Sequence, residues 1–264
     1  MAVKKPVIAA IGGFDPSGGA GILADIKTIS AFGCYGVAAI TSLTVQNTKG
    51  ILAAHHQPGA VVYAQIKALL DDFEIGAFKT GMLPSAEIIG AVTAALGGYP
   101  NTYLVVDPVL WSSTGFDLAG HSTASLIERI FPIASLVTPN AKEAARITGI
   151  GVTDEESMES AARKILTMGP SAVLIKGGDI AGQDATDILL DSEGVVKLSS
   201  PKIHSSNTHG TGCTLASAIA AGLALGQPLR EAVRNAKEYV SAAIRSAPGL
   251  GHGFGPLNHF PPAQ

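Results

Sequence analysis

The sequence predicts an α/β fold in which a central, mainly parallel β-sheet is covered by helices on both faces, with a small flap over one end. Three observations carry this. Short apolar, β-branched runs alternate with amphipathic segments of helical period along the whole chain. The apolar runs are nearly continuous, as strands buried on both faces require. Glycine, 31 of 264 residues, gathers in short clusters at the junctions, where tight turns and close backbone approach are needed.

In chain order, the strands read Val7–Ile11, Val37–Thr41, Ala77–Thr80, Tyr103–Asp107, Leu136–Thr138 and Ala172–Lys176, each bounded by Gly, Pro or Asn. Between them lie helical segments over Ile22–Phe32, Ala60–Leu70, Ser85–Leu96, Ser122–Ile130 and Glu155–Met168. A strand–helix–strand rhythm implies right-handed crossovers and parallel pairing. Thr186–Leu190 and Val195–Leu198 flank Ser192-Glu193-Gly194 and read as an antiparallel edge hairpin. Two helices, Cys213–Leu225 and Leu229–Ser246, close the fold. Thr44–His56 breaks the rhythm: polar at Gln46-Asn47-Thr48, apolar again from Ile51, it reads as a loop and short strand placed to cover a ligand at the strand ends.

At 264 residues, 47% apolar and 15% charged, with no visible linker, residues 1–264 are expected to form one domain. A net charge of −3 without a basic block argues against nucleic acid and anionic membrane as partners. Cys34 and Cys213 are too sparse for a disulfide framework and form no C-x-x-C motif, which suits a reducing cytoplasm. Met1–Pro6 is followed by no apolar stretch of signal-peptide length, and Leu215–Leu225 is too short to span a bilayer.

Candidate chemistry gathers at the strand ends. Asn207-Thr-His-Gly-Thr-Gly-Cys-Thr214 is a glycine-rich turn running into an apolar helix. The amides of a first helical turn lack intrahelical acceptors, so such a turn makes an anion cradle. A thiol there, Cys213, is expected to have its thiolate favoured and to serve as a proton acceptor; the alternative is an inert buried thiol. Gly12–Gly21 is a second glycine-rich turn, though neither a P-loop nor a dinucleotide fingerprint. Asp25 beyond it is either a ligand-facing acid or a solvated one favoured by the helix dipole. Asp107 ends a strand, and Asn140 with Glu143 starts a helix. Hard oxygens at such tips suit Mg²⁺, and the Asn140/Glu143 spacing equally suits a capping box. Lys79 and Lys176 each end an apolar run before glycine, facing either an anion or solvent. His55, His56, His252 and His259 have no metal-ligand company and read as surface or terminal residues.

Taken in order, several segments resemble the hydroxymethylpyrimidine/phosphomethylpyrimidine kinases of the ribokinase-like superfamily. They are Asp15-Pro-Ser-Gly-Gly-Ala-Gly-Ile22 with Asp25, Val45-Gln-Asn-Thr48, Lys79-Thr-Gly-Met-Leu83, Val106-Asp-Pro-Val109, Thr138-Pro-Asn140 with Glu143, Ile175-Lys-Gly-Gly178, Thr208-His-Gly-Thr-Gly-Cys-Thr214 and the tail Gly253–His259. The resemblance is nearly full length, and the ordered set is specific where each piece is weak. It implies Mg-ATP-dependent phosphorylation of 4-amino-5-hydroxymethyl-2-methylpyrimidine and then of its monophosphate, by a homodimer. It further implies that Gly13, Asp25, Gln46 and Met82 line the pyrimidine pocket. Gly210, Thr211 and Gly212 would form the anion hole, and Cys213 would stand where related sugar kinases carry an aspartate base. Lys176, Asn140, Thr208, Asp107 and Glu143 would serve ATP phosphates and Mg²⁺, with Lys237 touching the nucleotide.

Phe14, Trp111, Ser112 and Asp179 depart from the pattern of that family and bear on substrate range. Three rival readings follow from the same residues: a pyridoxal or pyridoxine kinase, against which Gln46-Asn47-Thr48 argues; a non-catalytic vitamin-binding protein on the same scaffold; and a cysteine hydrolase using His209 and Cys213, four residues apart in a doubtful geometry.

Overall fold

The computed structural model describes residues 5–112, 115–118 and 122–262. Met1 to Lys4, the start of the N-terminal segment read above, lie outside them. Among the described residues nine strands form one sheet in the order β3-β2-β1-β4-β5-β6-β7-β8-β9. The parallel centre comprises β1 (Val7–Phe14), β2 (Tyr35–Asn47), β4 (Ile75–Thr80), β5 (Tyr103–Val106), β6 (Leu136–Val137) and β7 (Val173–Ile175). Antiparallel strands flank it: β3 (Gly50–His56) on β2, and the hairpin β8 (Asp184–Asp191) with β9 (Gly194–Pro201) on β7.

The edge hairpin and every expected central strand are present. The flap differs from its sequence reading. β2 does not stop near Thr41 but continues to Asn47, and β3 pairs back along it, so the segment is a hairpin that extends the sheet. Its polar residues alternate with apolar ones, and a strand projecting past the sheet tolerates that pattern because neither face is fully covered.

Both faces of β1 are apolar, and that sorts the helices. Ala9 and Ile11 point to a layer containing α2 (Gly59–Asp72), α3 (Ala86–Leu96), α4 (Thr123–Arg129), α5 (Ala141–Thr148) and α6 (Glu155–Leu166). Ile8 and Ala10 point to α1 (Gly21–Ala31), α7 (Thr211–Ala224) and α8 (Leu229–Arg245). α7 is apolar all round, with small residues such as Ala216, Ala218, Ala220 and Ala221 fully buried, so it lies close against the sheet and its start is fixed. The short α5 carries the capping box read from Asn140 and Glu143: Asn140 Oδ1 accepts from the Glu143 amide at 2.9 Å, and Glu143 Oε2 from the Asn140 amide at 2.8 Å.

The chain leaves β1 toward β2 on one side and returns to β4 on the other. Strand order reverses there, and the crevice outside the carboxyl ends of β1 and β4 is where an open α/β sheet binds ligands. No helix among the described residues is long and apolar enough to cross a membrane.

Candidate active site

That crevice opens into a cavity of ≈ 970 Å³. Every residue singled out above for catalysis, substrate, nucleotide or metal borders it, from Gly13, Gln46 and Met82 at one end to Asn140, Thr208 and Lys237 at the other. The strand ends place them: β1 delivers Gly13, the hairpin Gln46, β4 Lys79 and Met82, and β5 Asp107. β7 delivers Lys176, and the turn into α7 delivers Gly210 to Cys213.

Gly210 sits at φ 83°, and a Cβ there would lie 1.9 Å from the Gly19 carbonyl oxygen. Only glycine lets this turn pack against the first glycine-rich loop while aiming the next amides into the cavity. At Gly212 an added Cβ would approach Lys176 Nζ at 3.1 Å and Asp107 Oδ2 at 3.3 Å. The ammonium and the carboxylate therefore overhang the bare backbone of the cradle. Lys176 Nζ donates to Asp107 Oδ1 at 2.8 Å. Burial opposes its charge, but Asp107 and Glu143 outweigh that and hold its pKa above the ordinary lysine value.

Glu143 is buried beside these groups. Burial pushes its carboxyl up to about 7, against the pull of Lys176. Its Oε1 accepts from the Leu110 amide and its Oε2 from the Asn140 amide. Mg²⁺ takes oxygen ligands and keeps several waters. Asp107 Oδ2, overhanging the cradle, fits such an ion as a direct ligand; Glu143, with both oxygens engaged, fits as a partner through water and charge. Among the described residues no three His, Cys, Asp or Glu side chains cluster into an all-protein metal site.

Of the two readings open from sequence, Lys79 takes the anion and not solvent, and the anion is a side chain of the protein. Lys79 donates to Asp25 Oδ1 and Oδ2 at 2.8 and 2.9 Å, with both side chains 1% exposed. Ser217 adds a hydrogen bond to Asp25 Oδ1 at 2.8 Å. Burial drives the Asp25 carboxyl upward while the ammonium draws it back; the same contact, with Cys213 and Asp107, holds Lys79 above its ordinary value despite burial. The pair is an ammonium facing a carboxylate, so Asp25 is not the solvated acid of the alternative reading. It borders the cavity with both oxygens committed.

Two further expectations are corrected. The helix start was expected to favour the Cys213 thiolate; burial instead dominates and pushes the thiol up to about 11, with Lys79 only partly opposing. His259 is not a surface residue: it is buried against α7, Nε2 3.4 Å from Thr214 Oγ1, its carbonyl accepting from Tyr239 Oη at 2.6 Å. Burial lowers its pKa to about 4. His55, His56 and His252 are exposed as expected.

Asp15 and Asp187 had no role assigned from sequence, and His209 only that of a partner to Cys213 in the hydrolase reading. Asp15 holds the first loop: Oδ1 accepts from the Ser17 amide, and Oδ2 from Ser17 Oγ, the Ala20 amide and His209 Nε2, the last at 2.7 Å. Burial works against its charge, yet these bonds hold its pKa below the usual carboxylate value. The Asp-Pro-Ser-Gly run carried a turn signal. His209 Nε2 also lies 3.2 Å from Gln46 Nε2, so this ring is committed to the hairpin side. Asp187 accepts from the Gly177 amide and from Lys237 Nζ at 2.8 Å, fixing Lys237 at the cavity edge. A lone acid inside an apolar strand gave no such indication.

A parallel sheet with a switch-point crevice, a glycine-lined helix start and a lysine–aspartate pair over it define an α/β small-molecule kinase of the ribokinase-like type. Known proteins agree. Residues 15–258 match the family model described as phosphomethylpyrimidine kinase. The thiamine biosynthesis bifunctional protein ThiED of Geobacter sulfurreducens is 48% identical over 97% of this chain, which spans only 53% of that protein, about half its length. The hydroxymethylpyrimidine/phosphomethylpyrimidine kinase of Streptomyces coelicolor is 45% identical, over 97% of this chain and 95% of its own. Among solved structures, the pyridoxal kinase of Staphylococcus aureus in complex with ADP superposes with a TM-score of 0.91 at 32% identity, covering 98% of this chain and 95% of its own. The chain belongs to the phosphomethylpyrimidine kinase family.

Proposed function

We propose that this chain transfers the γ-phosphoryl group of ATP to the hydroxymethyl group of 4-amino-5-hydroxymethyl-2-methylpyrimidine, and then to the resulting monophosphate, in thiamine biosynthesis. The observation that carries the reading is the Lys176–Asp107 pair held over the bare backbone of Gly212 in the turn that starts α7. In-line phosphoryl transfer asks the protein mainly for positioning and charge stabilisation, and this arrangement supplies both. Gln46, Gly13, Met82 and the cavity wall at Asp25 receive the pyrimidine. Asn140, Thr208 and Lys237 flank the nucleotide, whose binding is consistent with the ADP complex of the similar pyridoxal kinase. Asp107 and Glu143 would hold Mg²⁺, which would supply neutralisation of phosphate charge. Lys176 and the cradle amides stabilise the equatorial oxygens in flight. Cys213, resting as a thiol, relays the hydroxyl proton in the first phosphorylation, passing its own Sγ–H on as it takes the substrate's, or accepts that proton in its small thiolate fraction, and has no proton to move in the second.

A cytoplasmic setting fits the two unpaired cysteines and the bacterial kinases that this chain resembles. A homodimer fits the exposed Leu43, Val45 and Leu52 on the β2–β3 hairpin, and sedimentation equilibrium tests it. The function itself is tested by ATP consumption with hydroxymethylpyrimidine, its monophosphate and pyridoxal side by side. Turnover of both pyrimidines above pyridoxal is expected; turnover of pyridoxal alone would overturn the reading.

A further inference from the structure

The hydrogen-bond count around Gln46 fixes more than its presence in the pocket. Gln46 Nε2 lies 3.2 Å from His209 Nε2, and its Oε1 lies 3.1 Å from Thr44 Oγ1. The same His209 nitrogen lies 2.7 Å from Asp15 Oδ2. Asp15 is held ionised and can only accept, so His209 Nε2 must carry its proton. A protonated ring nitrogen cannot accept from an amide NH₂; its one proton lies on Asp15 at 2.7 Å and can be shared with a Gln46 oxygen at 3.2 Å as the longer branch of a three-centre bond, whereas an NH₂ there would set donor against donor. The other contact has the same fault. Thr44 Oγ1 donates its single proton to the Phe14 carbonyl at 2.9 Å, so toward Gln46 it can only accept. Amide oxygen and nitrogen are told apart by their partners, and here both partners demand the reverse order.

We infer that the Asp15–His209 pair and Thr44 pin the Gln46 side-chain amide with its oxygen toward His209 and its nitrogen toward Thr44, and that this pinned order selects an aminopyrimidine over its oxo counterpart. With each end used once, one Oε1 lone pair and one Nε2–H remain at the cavity. An amidine edge, a ring nitrogen beside an exocyclic amino group, offers an acceptor and a donor in matching order. A lactam edge, ring N–H beside a carbonyl, offers the same two groups reversed. A freely rotating glutamine would serve both by flipping; a pinned one serves one. His209 and Asp15 act through Gln46 and are positioning residues. Asp15 is itself fixed by the Ser17 and Ala20 amides, so the order is set in the ligand-free protein.

The ligand in this inference rests on the pyrimidine-kinase reading, but the amide order does not, and two measurements separate them. In the ¹⁵N-labelled, ligand-free chain, the Gln46 side-chain amide protons are expected to show stronger cross-relaxation to Thr44 than to the His209 ring protons. The opposite pattern would overturn the inference whatever the substrate is. In the second measurement, kcat/KM is compared for hydroxymethylpyrimidine and its 4-oxo analogue. His209→Leu is expected to lower the amino-to-oxo preference by about tenfold or more, mainly through KM for the amino substrate, because a buried polar edge then meets an unpinned partner. Equal losses on both substrates, with the ratio unchanged, would make His209 a purely structural residue and sink the selectivity claim. Failure of the unmodified enzyme to phosphorylate either pyrimidine would refute the proposed function instead, leaving the amide order to be decided by the first measurement.

Discussion

The floor and the roof of the cavity are built on opposite terms. The floor, made of the ends of β4, β5 and β7 and the start of α7, buries its charges: Asp25, Lys79, Asp107 and Glu143 are all at or below 3% exposure, each bonded to a named partner. The roof, the β2–β3 hairpin, exposes apolar side chains, with Leu52 at 74%, and its tip meets the C-terminal tail through bonds from tail amides to the hydroxyl and carbonyl of Thr48. Buried paired charges are costly to disturb, whereas an exposed hairpin with few apolar contacts opens at low cost. The floor is thus suited to fixed electrostatics and the roof to admitting a ligand.

Within the floor, two lysines sharpen the contrast. Lys79 and Lys176 both end parallel strands and both precede glycine by one or two residues. Lys79 is sealed, with Asp25 covering it through both oxygens. Lys176 keeps 15% of its side chain open to the cavity and shares one Asp107 oxygen. The largest effect is therefore expected on stability, from Lys79→Met. Leaving Asp25 buried without its ammonium should cost about 3–5 kcal/mol, read as a lower urea midpoint. The double variant Asp25→Asn/Lys79→Met should lose less than the sum of its single changes, since no unpaired charge is left. Lys176→Met also strips Asp107 of its ammonium, but at the wall of the open cavity, so it should lower the urea midpoint less than Lys79→Met while lowering kcat by roughly 10²–10³, the usual cost of removing one preorganised charge-stabilising donor. If the two lysines traded these phenotypes, the division between sealed and working charge would be wrong.

The sequence exposed the scaffold and the candidate residues of this site better than it exposed their partners. Strand ends were readable because a continuous apolar run stopping at Lys-Gly, Asp-Pro or Thr-Pro-Asn has one geometric meaning in a parallel sheet. The same runs did not say that Lys79 of β4 would meet Asp25 of α1, because pairing across 54 residues depends on the crossover packing and not on local period. Cys213 shows the same limit. A helix start argues for a stabilised thiolate, but the burial that overrides it comes from the surrounding walls, which no local pattern encodes. His259 was misread because a chain terminus suggests exposure, while here the tail folds back and buries the ring against α7. The length of β2 was missed because polar residues alternating beyond Thr41 look like a loop until the partner strand β3 is seen.

Cys213 belongs to the floor, at the start of α7 where it borders the cavity, and its expected effect is smaller than that of Lys176. A positioned base contributes about 10²–10⁴ in rate. A thiol pushed up to about 11 is ionised in only about one molecule in 10⁴ at pH 7, so little of that gain is available there. Cys213→Ala should slow phosphorylation of the hydroxymethyl substrate by roughly tenfold at pH 7 and by more at pH 9, where more of the wild-type sulfur is thiolate. Phosphorylation of the monophosphate should change little at either pH. Equal loss in both steps would reassign Cys213 to shaping the turn.

The smallest effect is expected at the roof. Thr48, at the hairpin tip, accepts at Oγ1 from the His252 and Gly253 amides at 3.1 and 3.2 Å, and its carbonyl accepts from the Phe254 amide at 2.8 Å. The tail therefore latches the hairpin to the body through one side chain and one backbone bond. Thr48→Val keeps the β-branched shape and the backbone bond but removes the two side-chain contacts. Each is exposed and worth at most about 0.5–1.5 kcal/mol, so the fold should keep its urea midpoint. The hairpin should open more often, which raises KM for the pyrimidine by a few-fold while kcat, set by the floor, stays within about twofold. Hydrogen exchange across residues 44–56 gives the direct reading: faster in Thr48→Val than in wild type without ligand, and slowed in both by the pyrimidine. Strong, equal protection in both proteins with and without ligand would show that the hairpin is as fixed as the floor, and the contrast between the two halves of the cavity would reduce to exposure alone.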